Sequence, residues 1–315
     1  MADRADTASL DTERLSARYS DIDVWEPQEV LDAMIEGQFS AVAAVRAARP
    51  AILRAALAME ATLGKRGRLI YAGAGTSGRL AVQDGAELMP TFSWPPERLL
   101  LLIAGGAGAM VQAVEGAEDE IGHAVELARQ HGIGANDALI AVAASGTTPF
   151  TVASLREARR LGALTIGIAN NRGTPLLDEA EHPIFLETGP EPIAGSTRMN
   201  AGTAQRIALN LLSSLLMIRL GRVYKGLMVD VSATNAKLAQ RRERMLLHLT
   251  GRPCEEVRDA LAQANGSVKL AILLLESCDL DQARTALARA GGQLRGAIGL
   301  IEPRADASKR HRKMR

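Results

Sequence analysis

The chain predicts a doubly wound α/β fold, a three-layer αβα sandwich built on a parallel sheet of about five strands. Three observations carry this reading. Five short β-capable runs, at residues 68–72, 98–104, 138–143, 163–169 and 183–186, alternate with helical stretches. The first four are nearly continuous in apolar residues, without two-residue alternation, as strands covered on both faces are. The first run also passes directly into a glycine-rich turn that opens a helix, Gly73-Ala-Gly75-Thr-Ser-Gly78.

In chain order, residues 1–12 are polar and mixed in charge and lack the apolar core of a secretory signal. From Glu29 to Leu63 apolar residues recur at helical spacing: Val30, Leu31, Met34, Ile35, Val42, Val45, Ile52, Leu53 and Leu57. These read as two or three leading helices. The strand and helix alternation follows. Beyond it, Ser196 or Thr197 is placed to cap a long helix from Met199 to Leu220, closed by Gly221. Gly226 to Asn235 reads as irregular, leading into a helix that runs through Leu249. Near the end, a segment from Ala260 to Ile272 repeats as Ala286 to Ile298, each copy a helix, an Asn-Gly or Gly-Gly stop and a second helix. This predicts a small unit of three or four helices. The layout is therefore an N-terminal helical segment (1–54), a sheet domain (55–222), an irregular segment with a helix (223–249), a small helical domain (250–302) and a basic tail (303–315), expected to be disordered.

Composition narrows the function classes. Of 315 residues, 47% are hydrophobic but only 4 Phe, 2 Trp and 3 Tyr are aromatic, so burial rests on Ala, Leu, Val and Ile. That excludes aromatic stacking on single-stranded nucleic acid as a main theme. Charge is balanced, 37 basic against 36 acidic residues, yet the tail from Pro303 carries six Lys or Arg and one Asp, so the rest of the chain is net acidic. The two cysteines, Cys254 and Cys278, lack metal-ligand or disulfide-framework spacing. No apolar run is long enough to span a bilayer, and a cytoplasmic protein without membrane or nucleic-acid partners is expected.

The turn at Gly73–Gly78 satisfies a dinucleotide-binding spacing, but the next strand ends Ile103-Ala-Gly-Gly106 without the carboxylate that holds a ribose. What Gly75, Thr76 and Ser77 offer is two hydroxyls beside backbone N–H groups at a helix N-terminus, suited to a compact phosphate monoester. A second turn, Ser145-Gly146-Thr-Thr148-Pro149, opens from the third strand with a proline suited to a first helical turn. Two such turns at the carboxyl ends of parallel strands can converge in the crevice of a doubly wound sheet. Carboxylates lie nearby in sequence: Asp84 and Glu87 on the helix after the first turn, and Glu115, Glu118, Asp119 and Glu120 after the second strand. With no metal spacing and no poised histidine, these are the groups available for acid/base work, and no cofactor is expected.

Together, Leu69-Ile-Tyr-Ala-Gly-Ala-Gly-Thr-Ser-Gly-Arg-Leu80, Glu87, Ile103-Ala-Gly-Gly106, Glu115-Gly-Ala-Glu-Asp119, Ala143-Ala-Ser-Gly146, Gly195-Ser-Thr-Arg-Met199, Ala201-Gly-Thr-Ala-Gln205 and Leu227 to Leu238 closely resemble the N-acetylmuramic acid 6-phosphate etherases, which have a sugar isomerase (SIS) fold. The resemblance covers roughly residues 55 to 300 and takes the final helical repeat as a ubiquitin-associated-like unit. It implies a lyase that removes the C3 D-lactyl ether by elimination and hydration. Glu87 matches the family's proton-donating glutamate and Glu118 its second catalytic glutamate. Gly75, Thr76, Ser77, Ser145, Gly146 and Thr148 would hold the 6-phosphate, and Ser196, Thr197, Arg198, Asn235 and Lys237 would contact substrate or a second subunit of a homodimer. Thr147 stands where the family commonly has arginine, and the leading residues match little beyond Thr12-Glu-Arg14. A non-catalytic phosphosugar sensor and an aldose-ketose isomerase are the competing readings.

Overall fold

The computed structural model describes residues 10–231, 236–276 and 278–301. The chain divides into two compact units, one holding the residues up to Glu87 together with Pro95–Leu216, the other Leu88–Trp94 and the chain from Met217.

The first unit is built on a five-stranded sheet in which every pair is parallel: β1 (Leu69–Gly73), β2 (Leu99–Ile103), β3 (Ala138–Val142), β4 (Leu164–Ala169) and β5 (His182–Phe185), ordered β2-β1-β3-β4-β5. All five residues of β1 and of β3 are buried, as central strands covered on both faces must be. On one face, Ile70, Ala72, Leu139 and Ala141 share a core with α4 (Ile121–Gln130), α5 (Pro149–Arg160) and α6 (Pro175–Glu179). The order reverses between β1 and β3. In such a sheet the connections leave that point to opposite faces and open a crevice at the carboxyl ends of the strands.

In place of two or three leading helices there is one, α1 (Pro27–Leu63), with Pro50 inside it. A boundary at residue 54 falls within this helix. Its buried face is a stripe of mostly small residues, Ala33, Gly37, Ala41, Ala44, Ala48, Ile52, Ala55 and Met59, which stays in phase across the proline and packs on β3, β4 and β5. That continuous burial outweighs the local cost of a helix-interior proline, about 3 kcal/mol. Of the apolar residues that announce the helix, Val45 and Ile52 are buried, whereas Leu31, Ile35, Val42, Leu53 and Leu57 are exposed and, with Phe39, form a stripe on the opposite side.

Helix α2 (Gly75–Ala86) crosses the end of β1 closely. A Cβ on Gly78 would lie 2.7 Å from the Gly73 carbonyl carbon, so the third glycine of the turn is required by packing of backbone on backbone. Gly78→Ala is expected to cost about 1–3 kcal/mol, read as a lowered Tm in thermal denaturation. An unchanged Tm would show that α2 can stand off from the strand.

Helix α7 (Asn200–Arg219) starts one residue later than the sequence predicts, and neither Ser196 nor Thr197 caps it. The cap is Glu191, buried, whose carboxylate accepts the N–H groups of Asn200 and Ala201 at 2.8 Å each. The two carboxylate oxygens thus each serve one orphan donor of the first turn, from nine positions upstream.

In the second unit, the irregular stretch after Gly221 contains a short antiparallel hairpin, β6 (Val223–Tyr224) and β7 (Leu227–Met228). Lys225 and Gly226 both take positive φ at its turn, as a type I′ hairpin demands. Short helix α3 (Leu88–Phe92) and α8 (Ala236–Thr250) belong to the same unit. The sequence repeat becomes two helix pairs, α9 (Cys254–Gln263) with α10 (Val268–Leu275) and α11 (Leu280–Arg289) with α12 (Leu294–Leu300). Each pair turns through two residues of positive φ, Asn265-Gly266 and Gly291-Gly292. The basic tail, 303–315, lies outside the described residues. Among the described residues no helix is long and apolar enough to cross a membrane.

Candidate active site

The crevice predicted by strand order is present as a cleft of about 400 Å³ at the carboxyl ends of β1 and β3. The first turn contributes Ala74, Gly75, Thr76 and Ser77. Gly75 takes φ +54°, and no side chain caps α2, which leaves the N–H groups of its first turn, at residues that line the cleft, without a side-chain acceptor. The second turn contributes Ala143, Ala144, Ser145, Thr147, Thr148 and Pro149. Here Ser145 Oγ accepts the Thr147 N–H at 3.2 Å and lies 3.2 Å from Thr148 Oγ1, so the turn is locked by the hydroxyls it presents. Gly146 is buried behind this turn, with φ +73°, and a Cβ there would collide with Thr174 Oγ1 at 2.2 Å. It shapes the turn without lining the cleft.

The chemistry of this lining is specific. The lining brings the hydroxyl-bearing Thr76, Ser77, Ser145, Thr147 and Thr148 together with Glu118 and Asp119 from the connection after β2. Such a site can seat an anion on dipoles and hydroxyls while presenting carboxylates to the body of the same ligand. Among the described residues no group of three or more His, Cys, Asp or Glu is placed to hold a metal ion.

Thr197 joins the lining, whereas Ser196 and the exposed Arg198 do not. Asn235 and the side chain of Lys237 lie outside the described residues. Glu87 is exposed at the C-terminal cap of α2 and does not line the cleft of its own chain. With a rise of about 1.5 Å per residue, the 12-residue helix carries it roughly 18 Å from Gly75. One turn before it, Asp84 is buried and accepts the Tyr71 hydroxyl at 2.9 Å, with Arg206 at 3.7 Å. Burial pushes the Asp84 carboxyl above its ordinary range, opposed by hydrogen bonds from Tyr71 and Ser213 and by the Arg206 charge, and the Glu87 charge adds to the rise.

Two lining residues escape sequence reasoning, Leu10 and Glu13. The available signal was the Thr12-Glu-Arg14 match ahead of the first helix, a segment without hydrophobic periodicity.

A parallel sheet with its switch point between β1 and β3, lined there by two hydroxyl-rich turns, defines a SIS-domain protein. A model of the SIS domain matches residues 119–215, and a model described as the glucokinase regulatory protein N-terminal SIS domain matches residues 52–159. The chain belongs to the N-acetylmuramic acid 6-phosphate etherase family. It is 52% identical over 265 residues to a protein of that name from Deinococcus radiodurans, covering 84% of this chain and 87% of that one. A second, from Streptomyces coelicolor, is 44% identical over 276 residues, covering 86% and 88%. Among solved structures, a phosphoheptose isomerase from Francisella tularensis matches with a TM-score of 0.46 at 20% identity, over 62% of this chain and all of that one.

Proposed function

We propose that this protein cleaves the D-lactyl ether at C3 of N-acetylmuramic acid 6-phosphate, releasing D-lactate and N-acetylglucosamine 6-phosphate, as a cytoplasmic enzyme of peptidoglycan recycling. The observation that carries the reading is the cleft itself: in a chain of this family, two hydroxyl-rich turns meet at the β1/β3 switch point with Glu118 in the same cleft.

In the proposed reaction the 6-phosphate rests on Thr76, Ser77, Ser145, Thr148 and the N-terminus of α2, fixing the open-chain sugar. A carboxylate removes the C2 proton, acidified by the C1 aldehyde; the C2–H electron pair forms the C2–C3 double bond as the C3–O bond breaks. The lactate oxygen takes a proton from a general acid. Water then adds to C3, with a proton returned to C2. We assign Glu87 to the leaving lactate and Glu118 to the C2 proton or the water.

The C3 oxygen is only a few bonds from the phosphate, so Glu87, roughly 18 Å along α2 from Gly75, cannot serve the cleft of its own chain. We therefore assign it to the cleft of a second copy in a homodimer. Supporting this are the exposure of Glu87 and the unpartnered stripe on α1, where Phe39 is 70% and Leu31 60% exposed. The direct test is incubation of purified protein with N-acetylmuramic acid 6-phosphate while D-lactate is measured. Lactate released in step with substrate loss is expected. Binding without release would leave a phosphosugar sensor, and folded protein that does neither would overturn the reading.

A further inference from the structure

The chain ahead of α1 is built into the wall of the cleft. Thr12 is fully buried, although residues 10–16 form neither helix nor strand. Its N–H donates to Asn171 Oδ1 at 3.3 Å, and Asn171 Nδ2 donates both to Thr12 Oγ1 at 3.0 Å and to the Ala144 carbonyl at 2.8 Å. The Thr12 carbonyl accepts the Gly195 N–H at 3.0 Å. One residue is thus tied to the segments that leave β3 and β4 and to the loop before α7. Anchoring of this density on an otherwise irregular segment is expected where the neighbouring residue must be held in place.

That neighbour is Glu13, which faces the same cleft as Ser77, Ser145 and Glu118. Its carboxylate lies against Gly195, where the backbone takes φ +76° and a Cβ would stand 2.6 Å from Glu13 Oε2. The loop therefore leaves room for the carboxylate only as glycine. Among the described residues Glu13 makes no ion pair and no side-chain hydrogen bond. An ionised carboxylate is an acceptor only, and like charge repels it from a phosphate or from a ligand carboxylate. What it can accept from is a neutral donor on the body of the ligand.

We infer that Glu13 is a substrate-binding residue of this cleft, accepting a hydrogen bond from a neutral donor of the sugar, a hydroxyl or the acetamido N–H, and that the Thr12 anchor makes the leading segment a specificity wall. The inference rests on the phosphosugar reading of the cleft. It divides the ligand between two surfaces: the turns hold the phosphate, and Glu13 selects for a sugar attached to it. Charge then favours sugar phosphates over bare anions of the same size.

Titration calorimetry on the full chain with two probes, N-acetylglucosamine 6-phosphate and inorganic phosphate, tests this without requiring turnover. Glu13→Ala is expected to weaken the sugar phosphate about tenfold or more, the worth of a hydrogen bond to a charged group, while inorganic phosphate binds no more weakly than to the wild type. Glu13→Gln, which keeps an acceptor oxygen, is expected to lose less. Equal binding of the sugar phosphate by wild type and Glu13→Ala overturns the inference, as does parallel weakening of both probes, which would mark a general distortion. Failure of the wild type to bind either probe would instead overturn the phosphosugar reading beneath it.

Discussion

Glu87→Gln and Glu118→Gln are each expected to lower kcat for lactate release by about 10²–10⁴, and a co-refolded mixture of the two is expected to recover about a quarter of wild-type activity. The recovery follows from geometry. Glu118 lines the cleft of its own chain, and Glu87 stands at the far end of α2. If each site takes Glu118 from one copy and Glu87 from the other, half of randomly formed dimers are mixed, and each mixed dimer holds one intact site and one doubly impaired site. If both glutamates served one cleft, every site in the mixture would carry one defect. A mixture as inactive as its parts, with subunit exchange verified by mass, would end the shared-site assignment. Covering both carboxylates with a second copy would also exclude water from groups that are exposed in the single chain, as proton transfer to a poor leaving group requires. Phe39→Asp, placed in the apolar stripe of α1, is the companion variant: a monomer that has lost turnover is expected by sedimentation and assay.

The parts of this molecule that were legible in sequence are those set by local rules. Strands buried on both faces read as unbroken apolar runs: β2, β3 and β4 fall within the runs assigned to them, and β1 extends one residue past its run, to Gly73. The two turns were legible because hydroxyls next to glycine and proline at a strand end have few other uses. The helical repeat was legible because its stops reuse one backbone geometry at Asn265-Gly266 and Gly291-Gly292.

What escaped is non-local. Large apolar residues on α1 marked a helix without marking which face the sheet takes, since close approach selects mostly alanine and glycine there and leaves Leu31 and Ile35 outside. Periodicity alone cannot say which of two apolar stripes a sheet will take. The cap of α7 escaped because Glu191 reaches it across an intervening loop, and Glu13 because Thr12 is placed by Asn171, 159 residues away. The position of Glu87 relative to the cleft depends on the length and direction of α2, not on the motif that contains it.

Replacing Asp84 by alanine is expected to destabilise the protein by about 1–3 kcal/mol, the cost of leaving a buried hydrogen-bond partner unsatisfied. The carboxylate is the shared partner of three elements: Tyr71 on β1, Arg206 and Ser213 on α7, and α2 itself. Its loss strands the Tyr71 hydroxyl, which is wholly buried, and Arg206 Nη1, which already lacks a hydrogen-bond partner. Asp84→Asn keeps an acceptor for Tyr71 and is expected to cost much less than alanine. The pH dependence has a definite sign. Because burial raises the folded-state pKa, the Asp84 contribution to stability is fully present below the unfolded value of 3.8 and is lost as pH rises through the raised one. The advantage of wild type over the non-titrating Asp84→Asn is therefore expected to be largest in acid and to shrink toward neutral pH, measured as chemical-denaturation midpoints across that range. An advantage that grows with pH would mean that Arg206 and the two hydroxyls outweigh burial. The same tie fixes α2 between the glycine-rich turn at its start and Glu87 at its end. Asp84→Ala is accordingly expected to lower kcat at temperatures where it remains folded, while Tyr71→Phe, which removes one hydrogen bond and leaves the ion pair, costs about 1 kcal/mol and leaves turnover nearly intact.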